Sequence, residues 1–524
     1  MMLQILNKTN KIRLFFVIII LLQTILLIYF MNNKISFFCD EIYTYSLANS
    51  RNGTIFAPMG HKSSIDCSYK WLDGSFFKEY ITVSKTNRFD FSNAYNNQIS
   101  DSHPPLYYYF IHIICSLFPE SFSKWYGFGL NIICFILVQI LLYLVCIELF
   151  KDEKYALLCC LIYGFSAGAI DCYIFIRMYS LLTFFYLLLL YIYIKCFDNK
   201  CSVGKALSII TTITLGGLTQ YHFWGYAFIL TLLFVLFCLY KKYYKMFALV
   251  SITAISGVII ANVYFPYLLT HIHNSPRGTE ALGISSRISP CIVGFSSIIQ
   301  EFFGWEPNLS IYLTLIISIL ICSYFILFII NNFYNEINKP ALNLTIVSAF
   351  IYIMIIYHSI EYKFLGFYPS GRFLFSIYPI VSITLTAMLY KFKNIYITLI
   401  ISALCLFSSY TMLDFDFPYT DKTYSGILTL DSIIPGNNLI IFSYYKEGIQ
   451  AICPQLAKAN KVYIIPKYSD KLVFPDSYPE SGHNYMFVFN RNPEIPVPYK
   501  KLAVSYLPLS NAPFEIYDME SKNK

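Results

Sequence analysis

The stretch IRLFFVIIILLQTILLIYFMNNKISFFCDEIYTYS, residues 12–46, decides the fold of this 524-residue chain. Its apolar run, Leu14–Phe30, is long enough to cross the hydrocarbon core of a membrane, which takes about 17 to 25 helical residues. Basic residues precede the run, as they do in a signal peptide, but no small-residue cleavage site follows before Cys39. We therefore predict a retained first span that ends shortly before the acidic pair Asp40-Glu41.

The composition of the whole chain agrees with a membrane protein. Hydrophobic residues make up 57% of the chain and charged residues only 13%, about half the share that is usual in soluble proteins. So few charges could not cover the surface of a soluble protein, whereas lipid solvates apolar side chains directly. The net charge of +8 is spread as small clusters between apolar runs. This spread predicts membrane topology rather than a nucleic-acid-binding face, so no nucleic-acid partner is expected.

Eleven further apolar segments follow along the chain. Basic clusters between them mark cytoplasmic loops, and neighbouring clusters can all be cytoplasmic only if an even number of spans separates them. Pro105–Phe118 breaks this parity, and as a helix it would reach only about 21 Å against a core of about 30 Å. We predict an interfacial or re-entrant helix there. The other ten segments are predicted spans: Trp125–Leu149, Tyr155–Ile170, Met178–Ile194, Ala206–Tyr221, Phe223–Tyr240, Met246–Leu269, Leu309–Ile330, Ala341–Ile360, Phe373–Tyr390 and Ile395–Met412.

The sequence thus predicts an α-helical polytopic membrane protein with about eleven transmembrane helices, an interfacial helix and a small extracytoplasmic α/β C-terminal domain. The predicted transmembrane domain covers residues 1–412, with a first outer loop at 31–104 and the interfacial helix at 105–118. Its location is the cytoplasmic (inner) membrane, with the N-terminus in the cytoplasm. The outer domain covers 413–524, where turns and alternating apolar residues are typical of strands. The predicted strands are Leu439–Ser443, Lys461–Ile465, Tyr485–Asn490, Leu502–Leu507 and Phe514–Asp518, with a helix at Glu447–Ala459.

The turns that are predicted to face outside carry charges of both signs at one membrane level. A charge at the end of a span often does no more than reach the interface, and a single acid such as Asp171 can simply favour a helix N-terminus. His222 fits an aromatic belt equally well. The convergence of both signs on one face nevertheless predicts a functional site. Its candidate residues are Asp40, Glu41, Asp101, His103, Lys124, Asp171, Arg177, Gln220, His222, Glu361, Lys363 and Arg372.

A sugar that is carried on a polyprenyl phosphate suits this mixture of charges. Its leaving group is already anionic, so it needs cations rather than a general acid. The acceptor hydroxyl needs a base, and either Asp40 or Glu41 could supply the carboxylate. This scheme requires neither a metal ion nor another cofactor. The predicted donor-phosphate cations are His103, Lys124, Arg177 and Arg372.

Five short motifs resemble, in order and spacing, those of the GT-C membrane glycosyltransferases. The resemblance is to the protein O-mannosyltransferase type and the aminoarabinose lipid A transferase type, and it covers roughly residues 10–410. Gln220 stands where the family has His, and Phe373 stands where it has Tyr. The motifs are FFCDEIYTYSLANS at 37–50, SHPPLYYYF at 102–110, IRMYSLLTFF at 176–185, LTQYHFW at 218–224 and YPSGRFLFSIYP at 368–379.

The resemblance implies direct transfer of a sugar from a polyprenyl-phosphate-linked donor to a lipid, glycan or protein acceptor, with inversion at the anomeric carbon. By position, Asp40 would be the base, and Glu41 would place the acceptor or tune Asp40. The family has an Arg early in the second span, where this chain has Trp125-Tyr126 beside Lys124. Further pocket candidates are Asp101, Tyr179 and His222.

Two other classes of function stay open from the sequence. A transporter or lipid flippase would place charges at mid-span and pair broken helices. A polysaccharide polymerase or ligase would use a polyprenyl pyrophosphate donor. Most of the 15 cysteines lie in apolar runs and no CxxC pair occurs, so no metal site is predicted. A Cys39–Cys67 disulfide in the first outer loop is one further possibility.

Overall fold

The computed structural model describes residues 2–51, 53–54, 66–101, 103–268, 270–271, 298, 302–304, 338–359, 370–390, 403, 424–443, 446–466, 474–489, 499–506 and 513–522. The chain divides into two compact units. The first, here the membrane unit, combines Met1–Met31, Asn131–Ile174 and Met178–Phe417. The second, here the loop-and-tail unit, combines Asn32–Leu130, Phe175–Arg177 and Pro418–Lys524. The predicted boundary at 412/413 lies outside the described residues and stays a prediction.

The described chain is mostly helical. Its helices up to residue 264 are α1 (Met2–Asn33), α2 (Cys39–Asn49), α3 (Gly74–Ile81), α4 (Phe91–Ser100), α5 (Leu106–Leu117), α6 (Lys124–Phe150), α7 (Glu153–Gly164), α8 (Ala167–Ile174), α9 (Tyr179–Cys196), α10 (Val203–Gly217), α11 (His222–Tyr240) and α12 (Tyr244–Tyr264). The later helices are α13 (Lys339–Ser359), α14 (Tyr378–Tyr390), α15 (Tyr424–Ile433), α16 (Lys446–Ala451) and α17 (Cys453–Leu456), with 3₁₀ turns at Lys85–Asn87 and Ser370–Ile377.

Seven helices in the described part are long and apolar enough to cross a membrane, or up to eight if the bent pair α7 and α8 forms one span. α10 is apolar but shorter. Large apolar side chains on these helices are exposed, as at Leu14 (60%) and Val263 (76%), and lipid would cover them. The polytopic membrane prediction is therefore confirmed. The predicted span Leu309–Ile330 lies outside the described residues, and so does Ile395–Met412 apart from residue 403.

Polar side chains hold helices of the membrane unit together. The Gln139 amide donates to Gln23 Oε1 at 2.9 Å, and the Gln23 amide donates to the Cys160 carbonyl at 2.9 Å. Gly164 makes room for these two amides, because a Cβ there would lie 2.3 Å from Gln139 Nε2. Interhelical hydrogen bonds of this kind add to close packing in a bundle that lipid surrounds.

A six-stranded mixed sheet lies in the loop-and-tail unit. Its strand order is β1-β3-β2-β4-β6-β5, with β2 parallel to both of its neighbours and the other pairs antiparallel. All five strands that were predicted in the tail are present. The strands are β1 (Trp71–Asp73), β2 (Asn438–Ser443), β3 (Lys461–Pro466), β4 (Asn484–Phe489), β5 (Tyr499–Tyr506) and β6 (Pro513–Lys522).

The single helix that was predicted at Glu447–Ala459 is wrong in extent. The segment forms two short helices, α16 and α17, which are separated at Ile452. Pro454 lies in the first turn of α17, where a missing N–H is tolerated. Inside one continuous helix the same proline would remove a hydrogen bond and clash with the preceding turn.

The first strand of the sheet comes from the first long loop, which is predicted to face outside, rather than from the tail. β1 pairs antiparallel with β3, with Trp71 opposite Tyr463. Paired strands share one side of any membrane that the helices cross, because a sheet ladder leaves no room for lipid between its strands. The loop and the tail therefore lie on the same side.

The predicted short helix at 105–118 is present as α5, in the loop-and-tail unit. Its 12 residues would reach about 18 Å, too short to cross a membrane. Tyr107 and Tyr108 are buried, whereas Leu117 and Phe118 are exposed. Its interfacial or re-entrant position stays a prediction. The possible disulfide between Cys39 and Cys67 is not formed in the structure.

Candidate active site

The acidic pair begins helix α2. Asp40 and Glu41 both lie in its first turn, where the partial positive charge of a helix N-terminus favours carboxylates. Glu41 Oε2 accepts a hydrogen bond from the backbone N–H of Phe38 at 2.8 Å. This is the return half of a capping box, which satisfies an amide that the helix itself cannot pair.

Glu41 is enclosed by hydrogen-bond donors. Its Oε1 lies 2.6 Å from Lys34 Nζ, and both side chains are almost completely buried, at 0% and 1% exposed. The same oxygen accepts the backbone N–H of Ile176 at 2.8 Å. A buried ion pair is tolerated when further hydrogen bonds satisfy its charges, as they do here. Glu41 thereby ties the residue 175–177 turn to α2.

Asp40 is in a different environment. Its side chain is half-buried, and Oδ1 lies 4.0 Å from the thiol of Cys39. Its backbone carbonyl accepts from Arg177 Nη1 at 3.2 Å and from Thr44 Oγ1 at 3.2 Å. Asp40 is thus the more accessible carboxylate of the pair, and its main chain is fastened to a buried cation.

Arg177 is the buried cation that connects these elements. Its Nη1 also donates to Thr44 Oγ1 at 3.3 Å and to Tyr108 Oη at 3.2 Å, and the side chain is only 3% exposed. Its Nη2 lies 3.4 Å from His103 Nε2. The guanidinium therefore contacts α2, α5 and the segment before α5 at once.

His103 and Asp101 form a second buried pair, with Nδ1 and Oδ2 2.7 Å apart. A guanidinium can only donate, so the contact with Arg177 needs a lone pair on His103 Nε2. The proton then sits on Nδ1 and is donated to Asp101. In this arrangement the imidazole is neutral, and it orients Arg177 rather than adding a positive charge.

Lys124 begins α6 and is bound to backbone carbonyls. Its Nζ donates to the carbonyls of Asn32 at 2.8 Å and Lys34 at 2.6 Å. These carbonyls end the first span or follow it, where a helix favours cations. The ammonium also lies 5.9 Å from the ring of Trp125. The contacts join the beginning of α6 to the residues that lead into α2.

Three other candidates meet around Phe373, in the membrane unit. The Tyr179 ring lies 6.4 Å from the Phe373 ring, the His222 ring lies 5.1 Å from it, and the Arg372 guanidinium lies 5.3 Å above it. Arg372 is 8% exposed. The structure thus groups nine of the candidates into two sets, each within one unit. Asp171 and Gln220 are also buried in the membrane unit, at 5% and 4% exposed. Glu361 and Lys363 lie outside the described residues.

Lys34, Thr44 and Tyr108 belong to the first set but were not predicted. A single lysine after a span ordinarily reaches the membrane interface. Nothing in the sequence therefore indicated Lys34 as a site residue, apart from its separation of seven residues from Glu41. Thr44 lies one helical turn after Asp40, and that spacing could have identified it.

An apolar groove lies within the membrane unit. It has a volume of roughly 580 Å³ between α10, α11 and α12. From Trp224 to Val235 it follows about 16 Å of α11. Its lining is apolar except for a few hydroxyl and amide groups. The residues that line it are Ile213, Trp224, Ala227, Phe228, Thr231, Leu232, Val235, Ser251, Ala254, Ile255, Val258, Ile259, Asn262 and Leu268.

Comparison with known proteins returns distant structural similarity only. No protein-family model and no curated protein matches the chain. An Archaeoglobus fulgidus oligosaccharyltransferase is 13% identical with a TM-score of 0.44, over 86% of this chain and 62% of that enzyme. ArnT from Cupriavidus metallidurans is 10% identical with a TM-score of 0.36, over 92% and 97%.

Two of the similar structures contain a bound lipid phosphate. The archaeal oligosaccharyltransferase AglB was solved with an inhibitory peptide and a dolichol-phosphate, and ArnT was solved with undecaprenyl phosphate. This chain spans less than two thirds of the archaeal enzyme. At such low similarity the function has to be argued from the residues of the site.

Proposed function

We propose that this chain is a polyprenyl-phosphate-sugar-dependent glycosyltransferase of the GT-C type, which moves a sugar to a hydroxyl or similar acceptor at the outer face of the membrane. The observation that carries the proposal is the contact between Asp40 and Arg177. Arg177 donates to the backbone carbonyl of Asp40, so the contact fixes the main chain that carries a half-buried carboxylate beside a buried guanidinium. Such a pair meets both needs of the reaction, a base for the acceptor and a cation for the leaving phosphate.

Asp40 is the proposed base. It removes the proton of the acceptor hydroxyl while the oxygen attacks the anomeric carbon of the sugar. The bond between that carbon and the phosphate oxygen breaks, and its electron pair leaves with the polyprenyl phosphate. Attack from the face opposite the phosphate inverts the anomeric carbon. Glu41 is a weaker candidate for this role, because Lys34 and two backbone amides already occupy its oxygens.

Arg177 is the proposed cation for the departing phosphate. Its planar fork of donors suits a phosphate better than the point charge of a lysine does. His103 and the Asp40 carbonyl hold the guanidinium in place, so little reorganisation is needed when charge develops. We assign His103 and Asp101 to the orientation of Arg177, and Lys124 to the anchoring of α6. Arg372 stays a proposed donor-site cation in the membrane unit.

The apolar groove of the membrane unit is the proposed binding site for the lipid part of the donor. A lining of aliphatic and aromatic side chains fits a prenyl chain, which makes no hydrogen bonds of its own. The groove follows about half of the thickness of a bilayer core.

Placement at the outer face rests on two arguments. The basic clusters predict which loops are cytoplasmic. The pairing of β1 with β3 puts the first loop and the tail on the same side of the membrane, so an even number of spans must separate them. The ten spans that are predicted between them meet this requirement.

Purified chain in detergent, incubated with polyprenyl-monophosphate sugars, tests the proposal. Asp40→Asn should lower the transfer rate by at least about 10²-fold, since a positioned base contributes that much or more. Asp73→Asn, an exposed acid of the same unit, is the matched control and should leave the rate unchanged. Normal transfer by Asp40→Asn would remove Asp40 as the base. Transfer from pyrophosphate-linked donors alone would point to a polymerase or ligase instead.

A further inference from the structure

A second cavity lies at the far end of α2, within the loop-and-tail unit. Its volume of roughly 380 Å³ falls in the range of small-molecule binding pockets. It is built from the end of α2, from α3, from the 3₁₀ turn that follows and from Glu120, three residues after the end of α5. The lining residues are Asn49, Ser50, Arg51, Ser75, Phe76, Lys78, Glu79, Tyr80, Thr82, Ser84, Lys85, Thr86 and Glu120.

Most of the residues that line this pocket are polar, although apolar atoms make up the larger share of its lining surface. Eleven of the thirteen residues carry hydroxyl, amide or charged groups, and Phe76 and Tyr80 are the aromatic exceptions. A hydroxyl both donates and accepts, so a surface rich in Ser and Thr matches a ligand that is itself rich in hydroxyls. Phe76, half-buried, offers a ring face to the C–H groups of a sugar.

The charges of the pocket leave a small positive excess, which favours an anionic group on that ligand. The lining carries three cations, Arg51, Lys78 and Lys85, and two acids, Glu79 and Glu120. Lys85 lies 3.6 Å from Glu120. Arg51 Nη2 donates to three neutral oxygens, those of Ser84 at 2.5 Å, Asn87 at 2.6 Å and Thr86, which hold the guanidinium in one orientation without neutralising it. Arg51 and Lys78 therefore offer two cations to a carboxylate or phosphate, with Glu79 as the opposing charge in the lining.

The pocket and the proposed reaction centre lie at opposite ends of one helix. From Asp40 to Asn49, α2 rises about 14 Å. This distance exceeds the span of a single sugar ring. A ligand that reached both places would therefore be an oligosaccharide, with its reacting hydroxyl at Asp40 and a distal residue in the pocket.

We propose that this pocket binds the distal part of an acidic oligosaccharide, which is the acceptor of the transfer reaction. The assignment as acceptor rests on the proposed function, whereas binding itself does not. The proposal narrows the acceptor from lipid, glycan or protein to a glycan that carries negative charge. Arg51 and Lys78 select the charge, and the hydroxyls and Phe76 select the sugar.

Calorimetric binding to the full-length chain in detergent, without donor, tests the pocket. The probes are tetragalacturonic acid and maltotetraose, which are of equal length and differ in charge. The acidic probe should bind about tenfold more tightly than the neutral one, the effect of one charge-assisted contact. Lys78→Ala should remove this preference and Lys78→Glu should abolish binding. Lys70→Ala, an exposed lysine of the same loop outside the pocket, should change neither.

The Lys78 substitutions leave the fold intact in our expectation, because Thr82 contacts only the backbone carbonyl of Lys78. Three results would each contradict the proposed binding site. They are equal binding of the two probes, no binding of either probe, and equal affinity of Lys78→Ala and wild type for the acidic probe.

The proposed binding site and the proposed reaction can be contradicted independently of each other. Asp40→Asn should bind the acidic probe like wild type although it no longer transfers sugar. Binding by a chain that transfers no sugar from any lipid-linked donor would overturn the proposed function and keep the pocket. Sugar transfer to acceptors without measurable binding of tetragalacturonic acid would contradict the proposed binding site and leave the proposed function in place.

Discussion

Asp40 and Glu41 are adjacent acids with opposite surroundings. Glu41 is buried against Lys34 and two amides, whereas Asp40 keeps a half-buried side chain and is anchored through its main chain. The difference arises because α2 turns successive side chains by about 100°. One of them then points towards Lys34 and the residue 175–177 turn.

Removing the charge of Glu41 should strongly destabilise the loop-and-tail unit. In Glu41→Gln, the buried ammonium of Lys34 loses its partner, which costs about 3–5 kcal/mol. Lys34→Met combined with Glu41→Gln should recover most of the loss, because no buried charge is left. The free energy of urea unfolding in detergent measures both effects.

The control for this pair is Glu120→Gln, which breaks the exposed contact with Lys85 at 3.6 Å and should cost less than about 1 kcal/mol. A double variant that is as unstable as the sum of its single variants would show that Lys34 and Glu41 are not coupled.

At the scale of single residues, the sequence predicted which charged residues would lie together better than it predicted their individual contacts. The turns that are predicted to face outside include Asp101, His103 and Arg177, and these three residues do meet. The neutral state of His103 could not be predicted, because it depends on which donor faces Nε2. Lys34 was missed, because only its contact with Glu41 distinguishes it from an ordinary lysine at a span end.

Helices were predicted well where they are long and uniformly apolar, and less well where they break. The segment Tyr155–Ile170 reads as one span, yet α7 and α8 meet at a bend of 60°. Ser166 explains the bend, since its Oγ donates to the Tyr163 carbonyl at 2.7 Å and accepts the Ala169 amide at 3.2 Å. Small and hydroxyl residues near a break are a known cause of kinks, but sequence alone does not show which of them act.

Filling the groove between the helices should weaken use of a long prenyl donor. Ala254 of α12 lines the groove, and Ala254→Trp would occupy part of its volume. We expect KM for a polyprenyl-linked donor to rise about tenfold, equivalent to about 1.4 kcal/mol of lost chain contact. A short geranyl-linked donor should be affected much less. Steady-state kinetics with both donors measure the difference.

Ala248→Trp, on the same helix but outside the groove, is the matched control. An equal rise in KM for both donors, or in both variants, would contradict a role of the groove in binding the prenyl chain of the donor.

The sheet shows what a sequence pattern cannot convey about the whole molecule. The tail strands were predicted from alternation, but β1 has three residues and no alternation to recognise. Its partner lies in the tail, so nothing near Trp71 in the sequence indicates it. The pairing of β1 with β3 joins the first loop to the tail within one compact unit. The membrane unit is the other compact unit of the chain.

Trp71→Ala should loosen the loop from the tail. The indole packs 5.3 Å from the Tyr463 ring and donates to the Ser477 carbonyl at 3.0 Å. Because the side chain is half-buried, we expect a loss of about 1–2 kcal/mol, below the cost of about 3–5 kcal/mol for a fully buried Trp. Faster cleavage of the first loop in limited proteolysis would report it. Trp125→Ala, which lies outside the sheet, should not change that cleavage, and equal rates in all three proteins would contradict the role of Trp71.

The pairing of β1 also sets the order in which the protein can be completed. Trp71 and Ser477 are 406 residues apart. At a synthesis rate of about 5–20 residues per second, the ribosome needs about 20 to 80 s between them. Throughout that time the loop has already left the ribosome while the strand that it pairs with does not yet exist. The first loop to be made is therefore among the last parts to fold, and a nascent chain that stalls before the tail displays it to proteases and chaperones.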